Sequence, residues 1–160
     1  MTKINKLLKD KETVLAFDMD GVLSKLEFGE YNHFALDDEE WAKACANGDN
    51  FYTEDKVIKK MQEYLKNKNM DNIYVISKSY NEFESNSKIE FLTKYYNIKK
   101  ENIFFVLHNK DKIKYLKKIK EKYPDKKDYQ IAMVEDTVDI LNDIMAESNF
   151  STIHISSFID

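Results

Sequence analysis

Apolar residues fall along this chain in two alternating kinds of stretch. Short, nearly continuous runs occur at TVLAF (Thr13 to Phe17), NIYVIS (Asn72 to Ser77), NIFFVL (Asn102 to Leu107), QIAMV (Gln130 to Val134) and STIHIS (Ser151 to Ser156). Their continuity and β-rich composition predict strands buried on both faces of a sheet. Between them the apolar positions recur with helical period. Val57, Ile58, Met61, Tyr64 and Leu65 form one stripe, and Ile89, Leu92 and Tyr96 a less regular one. Ile113, Leu116 and Ile119 form another, with Asp111 as N-cap, and Val138, Leu141, Ile144 and Met145 a fourth, with Thr137 as N-cap. Strand and helix in alternation predict right-handed crossovers and an α/β fold, a doubly wound parallel sheet of about five strands.

One connection is too long for this scheme. A helix from about Asp55 to Asn67 suffices to cross from the first strand to the second. That leaves roughly 30 residues, 24–54, as an insert well beyond an ordinary βα loop. The insert is acidic and carries Phe28, Tyr31, Phe34, Trp41, Phe51 and Tyr52, aromatic rings able to close over a ligand or to pack on one another. The expected organisation is one domain over residues 1–160, with 24–54 as a small cap.

Composition supports that picture and removes some alternatives. The chain has 160 residues, 42% hydrophobic and 34% charged, which suits one globular domain with a real core. A net charge of −4 supplies no global field for a nucleic-acid backbone, so no nucleic-acid partner is expected. The charged start MTKINKLLKDKE does not read as a signal peptide, no run is long enough to span a membrane, and the single cysteine, Cys45, builds no disulfide framework. A cytoplasmic protein without a membrane partner is expected, its oligomeric state left open.

Ligands of open parallel sheets sit beyond the carboxyl ends of the strands. The residues there form a consistent set. They are Asp18, Asp20 and Gly21 after the first strand; Ser77 and Lys78 after the second; His108, Asn109, Lys110 and Lys112 after the third; and Glu135, Asp136 and Asp139 after the fourth. Several carboxylates gathered at one edge repel one another without a cation, and hard oxygen donors with open positions suit Mg²⁺. A lysine and a serine opposite such a metal can hold a phosphate, which makes a phosphoryl-transfer site.

With these residues in hand, the chain resembles the haloacid dehalogenase-like hydrolase superfamily, whose phosphatases open with a hydrophobic strand followed by D-x-D-G. FDMDGVL matches that opening, YVIS supplies the strand-closing serine, HNKDKIKYLKKI the lysine, and MVEDTVD the acidic pair, all in the family's order. The resemblance implies that Asp18 is the nucleophile and forms an aspartyl-phosphate, and that Asp20 is the general acid/base and lends its backbone carbonyl to Mg²⁺. It implies that Ser77 binds the phosphoryl oxygens, with Lys112 as the phosphate lysine by its register to Leu116 and Ile119, and Lys110 as the alternative. It further implies Asp136 as direct Mg²⁺ ligand with Glu135 nearby, Asp139 being able to take either part. The expected activity is Mg²⁺-dependent hydrolysis of a phosphomonoester, a small metabolite or nucleotide. A phosphomutase shares the second acid but generally carries a larger cap. A receiver-type signalling domain places its acids differently, and a non-catalytic phosphate- or metal-binding protein on the same fold would leave the full set of groups surplus.

Overall fold

In a strand, successive side chains face opposite sides of the sheet, and the first strand serves a core on each side. In the computed structural model, which describes residues 2–26 and 36–158, strand β1 (Val14–Phe17) is buried at every position. Leu15 and Phe17 enter one apolar cluster, and Val14 and Ala16 enter the other. Strands β2 (Ile73–Lys78), β3 (Ile103–Val106), β4 (Ile131–Glu135) and β5 (Ser151–His154) complete a sheet of order β3-β2-β1-β4-β5. Every pairing is parallel. The fold is thus the α/β doubly wound, Rossmann-like arrangement that the pattern predicts.

Helices α3 (Lys59–Leu65) and α4 (Glu82–Tyr96) cover one face through Met61, Leu65, Phe91, Leu92 and Tyr96. Helices α5 (Lys112–Glu121) and α6 (Val138–Glu147) cover the other through Leu116, Ile119 and Ile144. Each buried Leu, Ile, Met or Phe side chain among these contributes about 1.5–3 kcal/mol relative to exposure. The chain leaves β1 for β2 and β3 on one side, then crosses to β4 and β5 on the other. This reversal opens a crevice beyond the carboxyl ends of β1, β2 and β4.

The structure corrects several details. The strands begin or end one or two residues from the expected bounds, and residues Ile155–Phe158 form a 3₁₀ turn instead of continuing β5. The predicted 55–67 helix is a 3₁₀ turn at Glu54–Lys56 followed by α3. Asp111 and Thr137 stand at N-cap positions without capping by their side chains. Asp111 pairs instead with Lys114 at 2.6 Å. Val138 and Met145 are exposed, so the apolar face of α6 is narrower than its sequence stripe. Two helices were not anticipated, α1 (Lys3–Lys9) before the sheet and α2 (Asp38–Ala46) inside the insert.

The insert is fastened at its base. Residues 19–24 form a tight turn in which the Met19 carbonyl accepts from the N–H groups of Leu23 and Ser24 at 2.8 and 2.9 Å. Ser24 then bridges antiparallel to Val57, and the Lys25 N–H donates to the Lys56 carbonyl at 2.8 Å. The buried Tyr96 hydroxyl closes the junction by donating to the Leu23 carbonyl at 2.6 Å while accepting from the Ile58 N–H at 3.0 Å. Helix α2 starts on a capping box: Asp37 accepts from the N–H groups of Glu39 and Glu40, and Glu40 reaches back to the Asp37 N–H. Trp41 and Phe51 pack ring on ring at 4.6 Å, and Tyr52 packs on Phe91 at 6.0 Å. Phe28, Tyr31 and Phe34 lie outside the described residues.

Candidate functional site

Asp18 follows β1 directly, and its N–H still donates into the sheet, to the Val134 carbonyl at 2.9 Å. Its carboxylate is thereby fixed beside the end of β4. Lys112, on the first turn of α5, lies in phase with Leu116 and Ile119 and is 1% exposed. Its ammonium lies 3.1 Å from Asp18 Oδ1 and 2.7 Å from Glu135 Oε2. Glu135 is fully buried, and its other oxygen accepts the N–H groups of Asp136 and Thr137 at 3.1 and 3.3 Å. Burial and the neighbouring Asp18 push Glu135 up to about 8, against the pull of Lys112.

Asp136 starts the turn after β4. Its backbone is braced by His154 on the edge strand. The Ser156 N–H donates to His154 Nδ1 at 3.2 Å, so Nε2 carries the hydrogen donated to the Asp136 carbonyl at 3.0 Å. The Asp136 carboxylate abuts Gly21, where a Cβ would stand 2.0 Å from Oδ2. Gly21 has φ of 77°, a conformation that also favours glycine. The glycine of the D-x-D-G turn therefore makes room for an acid contributed more than a hundred residues later.

Asp18, Glu135 and Asp136 each present a carboxylate oxygen within 4.8 Å of the others. Oxygen donors gathered this closely, with Lys112 reaching Asp18 and Glu135 but no ammonium recorded on Asp136, offer a hard divalent cation a place to bind. This donor set fits Mg²⁺. Asp18 and Asp136 have the freer oxygens, whereas both oxygens of Glu135 are engaged by Lys112 and the turn.

A second buried lysine stands on the opposite side of the crevice, and sequence reasoning missed it. Lys88 of α4 is 1% exposed, with its ammonium 2.8 Å from Asp20 Oδ2, 3.1 Å from Ser77 Oγ and 3.0 Å from Glu84 Oε1. The signal was present: Glu84 and Lys88 continue the stripe of Phe91, Leu92 and Tyr96 backward along α4, so two charges occupy core-facing positions. Burial raises the Asp20 carboxyl above its ordinary value, only partly offset by Lys88. Burial also opposes ionised Glu84, yet Lys88 and the Tyr80 N–H hold that carboxyl below its usual range. Of the two acids sharing Lys88, Asp20 is the one suited to carry a proton.

Asp18, Asp20, Ser77, Lys88 and Asp136 line a cavity of about 300 Å³, with Trp41, Tyr80 and Ile140 among its walls, while Lys112 and Glu135 lie behind Asp18. At the rim, Asp38 at the start of α2 pairs with Lys78 at the end of β2 at 2.9 Å. Asp18, Asp20, Ser77, Lys112, Glu135 and Asp136 thus converge on one edge of the sheet. Lys110 does not join them: it is exposed on the 3₁₀ turn Asn109–Asp111 and borders a separate shallow depression with Asp143 and Glu147. It stands two residues before Lys112, a little over half a helical turn out of phase with the inward face of α5. Asp139 is exposed on the first turn of α6. Cys45 is buried, and burial pushes its thiol up to about 11, away from nucleophilic use. Among the described residues no helix is long and apolar enough to cross a membrane. No protein-family model matches the chain, and no curated protein matches it in sequence.

Proposed function

We propose that this protein is a Mg²⁺-dependent phosphatase that hydrolyses a small phosphomonoester through an aspartyl-phosphate on Asp18, as its motifs' resemblance to the haloacid dehalogenase-like phosphatases implies. The observation that carries the proposal is the pair of acids two residues apart at the crevice, each facing its own buried lysine: Asp18 with Lys112, and Asp20 with Lys88. One carboxylate is held at the end of β1 against the Lys112 ammonium, placed as a nucleophile requires; the other is raised by burial, as a proton donor requires.

In the first step an Asp18 carboxylate oxygen bonds to phosphorus as the bond to the ester oxygen breaks, and Asp20 passes its proton to that departing oxygen. In the second, a water oxygen bonds to phosphorus, Asp20 takes the water's proton, and the acyl-phosphate bond breaks to release inorganic phosphate and free Asp18. Lys112 balances charge at the nucleophile, and Ser77 Oγ offers a hydrogen bond to the phosphoryl oxygens. Asp18, Asp136 and the Asp20 carbonyl would hold Mg²⁺, with Glu135 behind them fixing Lys112 and the turn. Mg²⁺ so bound supplies charge neutralisation at the phosphoryl oxygens. The cavity of about 300 Å³ suits a substrate of metabolite or nucleotide size.

The test is a panel of phosphomonoesters assayed with Mg²⁺ and with chelator, on wild type and Asp18→Asn. Turnover that needs both Mg²⁺ and Asp18 is expected. Absence of turnover across the panel, or equal rates in the variant, refutes the proposal.

A further inference from the structure

Lys88 looks at first like a second cation for the phosphate, but its hydrogen-bond capacity is already committed. An ammonium has three N–H donors. Four oxygens stand within reach of this one: Asp20 Oδ2 at 2.8 Å, Ser77 Oγ at 3.1 Å, the Lys78 carbonyl at 2.5 Å and Glu84 Oε1 at 3.0 Å. Binding a phosphate would require Lys88 to abandon a buried acceptor, which is costly. Its position serves to fix Asp20 instead.

The rest of the cluster leads outward to the insert. Glu84 is 2% exposed. It accepts the Tyr80 N–H at 2.8 Å on one oxygen and the Trp41 indole N–H at 3.0 Å on the other. The Tyr52 hydroxyl has one hydrogen and two acceptors, Asp20 Oδ1 at 3.1 Å and Glu84 Oε1 at 3.4 Å. Trp41 lies on α2 and Tyr52 follows it, so the insert places two donors on an acid pair joined by Lys88. Both oxygens of Asp20 are then held, Oδ2 from α4 and Oδ1 from the insert.

We propose that Glu84 and Lys88 are positioning residues through which the insert sets the orientation of the Asp20 carboxylate, so that proton delivery to the leaving group depends on how α2 and Tyr52 are seated. This rests on the phosphatase reading and deepens it. The insert then acts on the chemical step as well as covering the cavity. Seating of the insert on a substrate and readiness of the acid become one event.

The experiment compares two Mg²⁺-saturated substrates. An aryl phosphate expels a stable phenolate that needs little protonation, whereas an alkyl phosphate expels an alkoxide that needs a proton. Glu84→Gln and Trp41→Phe are assayed on both, alone and in an Asp20→Asn background, with circular dichroism to establish folding. Glu84→Gln is expected to lower kcat on the alkyl ester about tenfold more than on the aryl ester, with KM nearly unchanged. Trp41→Phe shifts in the same direction by less. In the Asp20→Asn background neither substitution adds a further loss on the alkyl ester, because the group they act through is gone. Should Glu84→Gln fail to fold, Trp41→Phe decides the matter, since it removes a single N–H donor and keeps an aromatic ring. Equal losses on both esters, an effect confined to KM, or full additivity with Asp20→Asn overturns the inference. If wild type hydrolyses both esters and Asp18→Asn neither, such a result sinks the positioning role alone. If wild type hydrolyses neither, the phosphatase reading falls and takes this inference with it.

Discussion

Replacing Gly21 by alanine should separate backbone strain from damage to the site, because the chain supplies its own control. Gly21 and Gly48 share a left-handed backbone, with φ of 77° and 84°. Each alanine substitution therefore carries about 1–2 kcal/mol of conformational cost. At Gly48 nothing lies within 4 Å of the added Cβ, whereas at Gly21 it meets Asp136 Oδ2 at 2.0 Å and Cγ at 2.8 Å. To restore ordinary contact the carboxylate oxygen must retreat by roughly 1.4 Å. A side chain can do this cheaply by rotation, so the further cost falls on function. A displacement of about 1 Å at a reacting centre costs on the order of 10²-fold. Urea denaturation of both variants should show similar losses of stability. Only Gly21→Ala should lose about 10²-fold in kcat/KM on a phosphomonoester, together with Mg²⁺ affinity measured by calorimetry. Wild-type turnover and metal affinity in Gly21→Ala would refute the argument, since Asp136 would then not be needed where the structure places it.

Three further outcomes follow from the buried groups. Lys112→Met leaves Asp18 and Glu135 without their cation, and should cost about 3–5 kcal/mol in metal-free protein by urea denaturation; Mg²⁺ should recover part of it, and an unchanged midpoint contradicts the pairing. Glu135 is held up to about 8 when folded but titrates near ~4.3 when unfolded. The folded state keeps a proton that the unfolded chain releases, so this contribution to stability is full below about pH 4.3 and is lost as pH rises to about 8. Denaturation midpoints of chelated wild type from pH 5 to 8.5 should fall more steeply than those of Glu135→Gln; parallel profiles would count against the shift. Tyr96→Phe removes the hydroxyl joining the Leu23 carbonyl and Ile58 N–H, and should cost about 1–3 kcal/mol by thermal or urea melts; a change below experimental error would show the junction to be held by other contacts.

The sheet was legible in sequence because β1, β2 and β4 are buried on both faces and continuous apolar runs record that directly, whereas the edge strands β3 and β5 are only partly buried, contrary to the same expectation. The two unforeseen helices left little hydrophobic trace: α1 buries only Leu8, and α2 only Cys45. Lys112 could be separated from Lys110 by helical phase, since Leu116 and Ile119 mark the inward face of α5. Glu84 and Lys88 escaped for the opposite reason. They break the apolar pattern of α4 where it turns toward the site, and a stripe defined by hydrophobic residues passes over them. Local rules fail most informatively at such places. That both oxygens of Glu135 are taken up by Lys112 and the following turn needed β4, α5 and that turn in their folded positions, which no single segment encodes.

The fastening of the insert at Ser24–Val57 and Lys25–Lys56 has a consequence on the scale of descent. Its two ends are held side by side whatever lies between them, and lengthening a closed loop costs little, about 0.6 kcal/mol per doubling. One continuous stretch of gene can then be rewritten, shortened or extended under selection while the codons for the sheet and its acids stay as they are. What such rewriting must retain is small: one indole and one phenol that reach Glu84 and Asp20.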